Sequence, residues 1–293
     1  MAHTARPVHT TARLRRTLDR EVPGTVGLLT DPADFAAMTA YDTFPFHDPA
    51  DHDAYLHAVH GLLHARTARG RHTDVALFDP EDYLDFCTHH TLDPDTPEAR
   101  TRFTAGLAAT GTAVPFEGQP LDTLVPLLVD ESVRQTTWEY ATLLLAGLGP
   151  CADCGTDIGH SAFTRADRIL DRLLDGAGPG DHHLVVSVPA DADQLVAALH
   201  SGAPPRTRAE FVTVLAAGLG LQRTGGLVLR RSTEGAPDRL HGWRLDHGAL
   251  LPISAAEVFN AYCTDADTGD LLAPEPGVEY CPGYPVDEPD PHH

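Results

Sequence analysis

Short apolar runs that stop abruptly at an acid are the first pattern along the chain. Val26 to Thr30 (VGLLT) ends at Asp31-Pro32-Ala33-Asp34, after which FAAM starts a helical spacing. The same grammar returns where Val75 to Phe78 (VALF) ends at Asp79-Pro80-Glu81-Asp82 and YLDF follows. Asp as N-cap accepts from the first free amides of a helix, Pro at the first helical position gives up a donor that had no partner, and a later acid favours the positive end of the helix dipole. The junction therefore predicts two buried strands, each feeding directly into a helix. Between them, Asp51 to Thr67 repeats Tyr55, Val59, Leu62 and Leu63 at steps of four, three and one, the spacing of an amphipathic helix. Strand, crossover helix and strand make a βαβ unit with parallel strands.

Beyond this unit the pattern predicts a helix over Thr96–Ala109, a third strand at Thr112–Phe116 broken by Pro115, and a long apolar helix over Leu121–Leu148 that Pro126 either kinks or starts. Composition changes at Gly147 to Gly159 (GLGPCADCGTDIG), the expected boundary. There follow a helix over Ala162–Leu174, a Gly-rich turn, and a strand at Leu184–Val188. Pro189 and Asp191 then lead into an expected helix over Asp193–His200, with another at Phe211–Leu219 and strands at Leu227–Arg231 and Trp243–Leu245. The fold class is α/β: a mostly parallel sheet flanked by helices in the N-terminal half, then an α+β region carrying a candidate zinc knuckle. The expected segments are a flexible arm (1–25), an α/β domain (26–150), an α+β domain (151–282) and a loose acidic tail (283–293).

Charge narrows the partners. Acids outnumber bases 42 to 21, a formal charge of -21, which repels phosphate backbones and anionic membranes. The one basic cluster, Arg6, Arg13, Arg15, Arg16 and Arg20, is closed off by Asp19 and Glu21. A protein partner is expected, and neither nucleic acid nor membrane. All 21 bases are Arg and the only Asn is Asn260, a usage that fits a high-GC bacterial genome. Absence of Lys removes Schiff-base chemistry, so no PLP, and removes the P-loop lysine, so no P-loop nucleotide. There is no run of about 18 apolar residues and no apolar segment near the N-terminus, so a cytoplasmic location is expected.

The motif with the most specific chemistry is Cys151-Ala152-Asp153-Cys154-Gly155, whose tight turn can aim two thiolates at one zinc ion. Cys263 and Cys281 complete a structural site, with His160 as a substitute for either; four reduced thiols are the plainer reading. A second, weaker metal candidate is the stripe Asp53, His57, His60 and His64 on the polar face of the helix after Asp51, which also reads as a solvated face. Asp31 and Asp79 would sit together at the C-terminal edge of parallel strands, where a metal for hydrolytic chemistry can bind, although capping already explains each of them. Gly159-His160-Ser161-Ala162-Phe163 misses the nucleophile elbow, since Phe163 replaces the closing Gly and no strand precedes it. Two functions stand: a zinc-stabilised accessory or regulatory factor working through protein contacts, or a metal-dependent hydrolase or nuclease built on Asp31 and Asp79.

Overall fold

The computed structural model describes residues 24–286 except 111, 192, 266 and 267, so most of the expected arm and of the acidic tail lies outside the described residues. These residues form two compact units, divided between Gln135 and Thr136.

In the first unit, β1 (Thr25–Leu28) pairs in parallel with β2 (Asp74–Leu77), Val26 opposite Val75 and Leu28 opposite Leu77. Each strand runs straight into a helix, α1 (Pro32–Met38) and α3 (Pro80–His90), as the Asp-Pro junctions predict. Asp31 Oδ1 accepts from the Ala33 N–H at 2.6 Å, and Asp79 Oδ1 accepts from Glu81 and Asp82 N–H at 2.7 and 3.2 Å. The crossover helix α2 (His52–Thr67) buries Tyr55, Val59, Leu62 and Leu63, the stripe read from the spacing. The third strand, β3 (Ala113–Pro115), lies antiparallel to β2, which corrects the expectation of a mostly parallel sheet. Two helices lie in each connection, α1 and α2 between β1 and β2 and α3 and α4 (Pro97–Thr110) between β2 and β3; the first returns the chain to the same end of the sheet, and the second brings it back reversed along β2. Aromatic rings fill the core: Phe35 stands 5.2 Å from Tyr55 and 5.8 Å from Phe46, centroid to centroid, and Phe78 stands 5.1 Å from Phe103.

Helix α5 (Leu121–Ala146) carries the chain from one unit to the next, with Leu124 and Leu128 in the first core and Ala141 and Leu145 in the second. The turn at Gly147–Gly159, expected as the boundary, lies within the second unit between α5 and α6 (Ile158–Ala177).

The second unit is a six-stranded sheet, β5-β4-β6-β7-β8 with β9 also on β7. Its strands are β4 (Asp181–Ala190), β5 (Asp193–His200), β6 (Gly225–Ser232), β7 (Asp238–Asp246), β8 (Ala249–Pro252) and β9 (Val278–Cys281). All neighbours are antiparallel except β9, which runs parallel to β7. Helix α7 (Pro205–Gly220) is buried at every position from Glu210 to Leu219, and it packs with α6. The short α8 (Ala255–Tyr262) carries a capping box on Ser254 and Glu257. Asp193–His200 is a strand and not the expected helix: Leu195, Ala197 and Leu199 are buried while Gln194, Val196 and Ala198 are exposed, a period of two. The start of the expected tail is also pinned down. The Trp243 indole N–H donates to Tyr284 O at 2.9 Å, the two rings meet edge-on at 4.9 Å, and the Tyr284 hydroxyl donates to Leu173 O.

Candidate functional site

The C-terminal edge of the β1/β2 pair collects the acids that the repeated junction supplies. Burial, then the charges of Asp79 and Asp31, hold the Asp34 carboxyl above its ordinary range; burial, then Asp79 and Asp85, do the same to Asp82. The acids therefore stand close enough to repel one another. Asp31 and Asp79 each commit an oxygen to helix amides. Among the described residues no three of His, Cys, Asp or Glu converge in a way that could hold a metal ion.

The same holds for the other two metal candidates. The CxxCG segment does form a tight turn: Gly155 has φ +74°, its N–H donates to Cys151 O at 2.9 Å, and the Cys151 N–H donates to Thr156 O at 2.8 Å. Cys154 is exposed, its sulfur 3.3 Å from the Thr156 hydroxyl. Cys263 is instead buried at the end of α8, donating to the Tyr280 hydroxyl at 3.4 Å, and burial raises the Cys281 thiol above its ordinary value. His160 opens α6, where its N–H is capped by Asp157. The described residues thus contain half of the expected knuckle as a turn, without its completing ligands gathered on it. On α2, His57 Nδ1 donates to Asp53 O at 2.8 Å, while His60 and His64 bond to each other through their Nε2 atoms at 3.0 Å and touch the edge of Phe116. These imidazoles partner locally and do not open onto a common point.

What the first unit encloses is an apolar cavity beside the free edge of β1. It is lined by Val26, Gly27 and Leu29, by Met38, Phe44 and Pro45, by Tyr55, Val59 and Leu62 of α2, by Phe78, and by Arg100, Thr101 and Thr104 of α4. Its volume is about 70 Å³, and the whole recess with its open mouth is about 610 Å³. A single water needs only about 10–15 Å³ on the first measure, so the space admits a ring or a short acyl chain.

Three local arrangements shape this cavity. The buried Tyr55 hydroxyl accepts from the Leu29 N–H at 3.1 Å and donates to Gly27 O at 3.4 Å, so it satisfies backbone that has no neighbouring strand. Burial pushes the phenol up to about 12, which keeps it a donor. The wall segment at Phe44 is tied down at Thr43 from both sides. Asp95 accepts from the Thr43 N–H at 2.9 Å and from its hydroxyl at 2.8 Å, and the buried Arg100 donates to the hydroxyl and to Thr43 O, both at 3.0 Å. The Thr43 N–H first, then its hydroxyl, hold the Asp95 carboxyl below its usual range. Finally, Gly27 lets Phe78 and Thr104 approach the strand: a Cβ there would meet Phe78 Cδ2 at 2.8 Å and Thr104 Oγ1 at 3.3 Å. With Arg100 engaged at Thr43 and Thr104 donating to Arg100 O at 2.8 Å, the polar groups of the wall are largely occupied. The cavity offers an apolar lining and few directed bonds.

The sequence spacing puts Tyr55, Val59 and Leu62 on a core stripe but carries no sign of the cavity. Its lining comes from six separated segments, and no local spacing links Thr43, Asp95 and Arg100. No helix among the described residues is long and apolar enough to cross a membrane. No curated protein and no solved structure matches the chain. One family model does: a domain of unknown function, DUF8829, matches residues 13–119, the stretch that contains every residue lining the cavity.

Proposed function

We propose that this protein is a non-catalytic binding factor whose first unit takes a small, neutral, mostly apolar molecule in the cavity beside β1. The observation that carries the reading is the cavity itself, an apolar recess with most of its polar wall groups already bonded. Concave, largely apolar pockets of this kind are where small ligands bind. A cytoplasmic accessory role, with the bound state passed on through protein contacts, belongs to the same proposal. The hydrolase or nuclease alternative draws support only from the acids at the sheet edge, and capping accounts for Asp31 and Asp79. Structural zinc on Cys151, Cys154, Cys263 and Cys281 is a separate proposal, tested by elemental analysis of the purified protein; well under one equivalent of metal overturns it.

The chain has two methionines, Met1 and Met38, and Met38 lies in the cavity wall. Methyl-labelled Met therefore gives a nearly unique reporter. Titration with benzene, indole and a short-chain alcohol is expected to move the Met38 methyl resonance in a saturable way, and Val59→Phe, which fills the cavity, is expected to abolish the shift. A Met38 signal that ignores all three compounds at millimolar concentration rejects the proposal.

A further inference from the structure

Most strand edges among the described residues are blunted. The free edge of β1 is covered by side chains of α2: the Tyr55 hydroxyl serves Leu29 N–H and Gly27 O, and His52 Nε2 donates to Leu29 O at 3.1 Å. β3 has three residues and ends at Pro115, β8 has four and ends at Pro252, and β9 has four. Short strands, prolines and covering side chains are the usual protections against edge-to-edge pairing. β5 has none of them. It is the outermost strand of the second sheet, eight residues long, without proline, and uncharged from Gln194 to Leu199 in a chain with 42 acids and 21 bases. Val196 stands 46% exposed on its outer face.

The hydrogen-bonding parity of this edge is fixed. The Ser201 N–H donates to His182 O at 2.9 Å, which extends the β4/β5 ladder and sets the odd-numbered residues of β5 toward β4. Both backbone groups of a residue in an antiparallel ladder point to the same side, so the N–H and C=O groups of Gln194, Val196 and Ala198 point away from the sheet.

We propose that β5 is the interface of a two-fold dimer of this chain, in which the β5 strands of two copies pair antiparallel with Val196 at the axis. In that register Gln194 of each copy lies opposite Ala198 of the other, and the three outward-facing residues exchange about six hydrogen bonds. A strand added here must carry apolar side chains on the α7 side and small or polar ones on the outer side. β5 has that alternation, and a two-fold axis perpendicular to the sheet brings like faces together. Charge also selects a second copy: two chains of -21 would repel at most surfaces, but this register sets no acid against acid along the paired residues, while a basic partner would gain nothing from an uncharged edge. Isologous pairing consumes the open edge of both copies and leaves none to recruit a third, so the assembly closes.

Sedimentation of the full chain between about 1 and 100 μM tests this, with the dimer expected at twice 31.4 kDa. Val196→Pro removes an N–H that points away from β4 and leaves the internal ladder intact, and Ala198→Lys places a charge on the edge; each is expected to give a monomer with an unchanged far-UV spectrum. Hydrogen exchange on the unaltered chain supplies a readout that does not depend on how a variant folds: the amides of Val196 and Ala198 should exchange at least about tenfold more slowly at the higher concentration. A monomer throughout the range, a dimer that survives both substitutions, or exchange at these amides independent of concentration overturns the proposal.

Discussion

A single hydroxyl decides how the edge of β1 is satisfied. Tyr55 is 3% exposed and serves two backbone groups with one oxygen, so Tyr55→Phe keeps the ring packing while leaving a buried N–H at Leu29 without its acceptor. An unpaired buried donor costs about 1–3 kcal/mol, and a loss of that size is expected in denaturant titration at neutral pH. The same residue predicts a pH effect. Its folded pKa, about 12, lies above the ordinary value of 10.0, so the stability linked to its proton is complete below about pH 10 and is lost as pH rises toward 12. Tyr284 is also pushed up to about 12, so the alkaline loss is shared; Tyr55→Phe should remove only part of it. An alkaline profile identical in Tyr55→Phe and the unaltered chain would mean that Tyr55 does not hold the edge as described.

At the scale of elements, the Asp-Pro junctions were legible in the sequence because every interaction in them is local. Cap, proline and first-turn acid lie within four residues, so strand end and helix start could be read together, and parallel pairing followed from reading strand, amphipathic helix and strand as a βαβ unit. The strand β5 was not legible for the opposite reason. Its Ala-rich segment has helical composition, and only pairing with β4, together with burial of Leu195, Ala197 and Leu199, selects the extended form. The cavity was hidden in the same way, since its wall is assembled by contacts between Thr43, Asp95 and Arg100 that have no sequence spacing. Capping as the work of Asp31 and Asp79 leads to a sharp expectation. Asn retains a side-chain oxygen for the amides, so Asp79→Asn should change stability by only a few tenths of a kcal/mol, whereas Asp79→Ala should cost about 1 kcal/mol. If the two substitutions destabilise equally, the oxygen of Asp79 is not what starts α3.

For the molecule as a whole, the consequence of having two separate cores is a prediction about cooperativity. The buried cluster around Phe35, Tyr55 and Leu63 shares no residue with the one around Phe211, Leu215 and Trp243. Helix α5 contributes to both, yet between Leu128 and Ala141 it has no buried apolar side chain: Val129 and Val133 are exposed, and the buried position is Gln135. Tyr140 packs against the second core and Gln135 is buried, but a helical segment with so little apolar burial is marginal on its own and adds little that would tie the two cores into one transition. The two units should therefore unfold as separate transitions and not as one two-state event. Leu63→Ala and Leu215→Ala each empty a fully buried site and should cost about 2–5 kcal/mol in the unit that holds them. Calorimetry of the full chain should resolve two components, with Leu63→Ala lowering one midpoint by roughly 5–15 °C and Leu215→Ala lowering the other. A single transition that both substitutions shift alike would show the cores to be coupled, and would make the central turns of α5, bare of apolar burial as they are, the element that couples them.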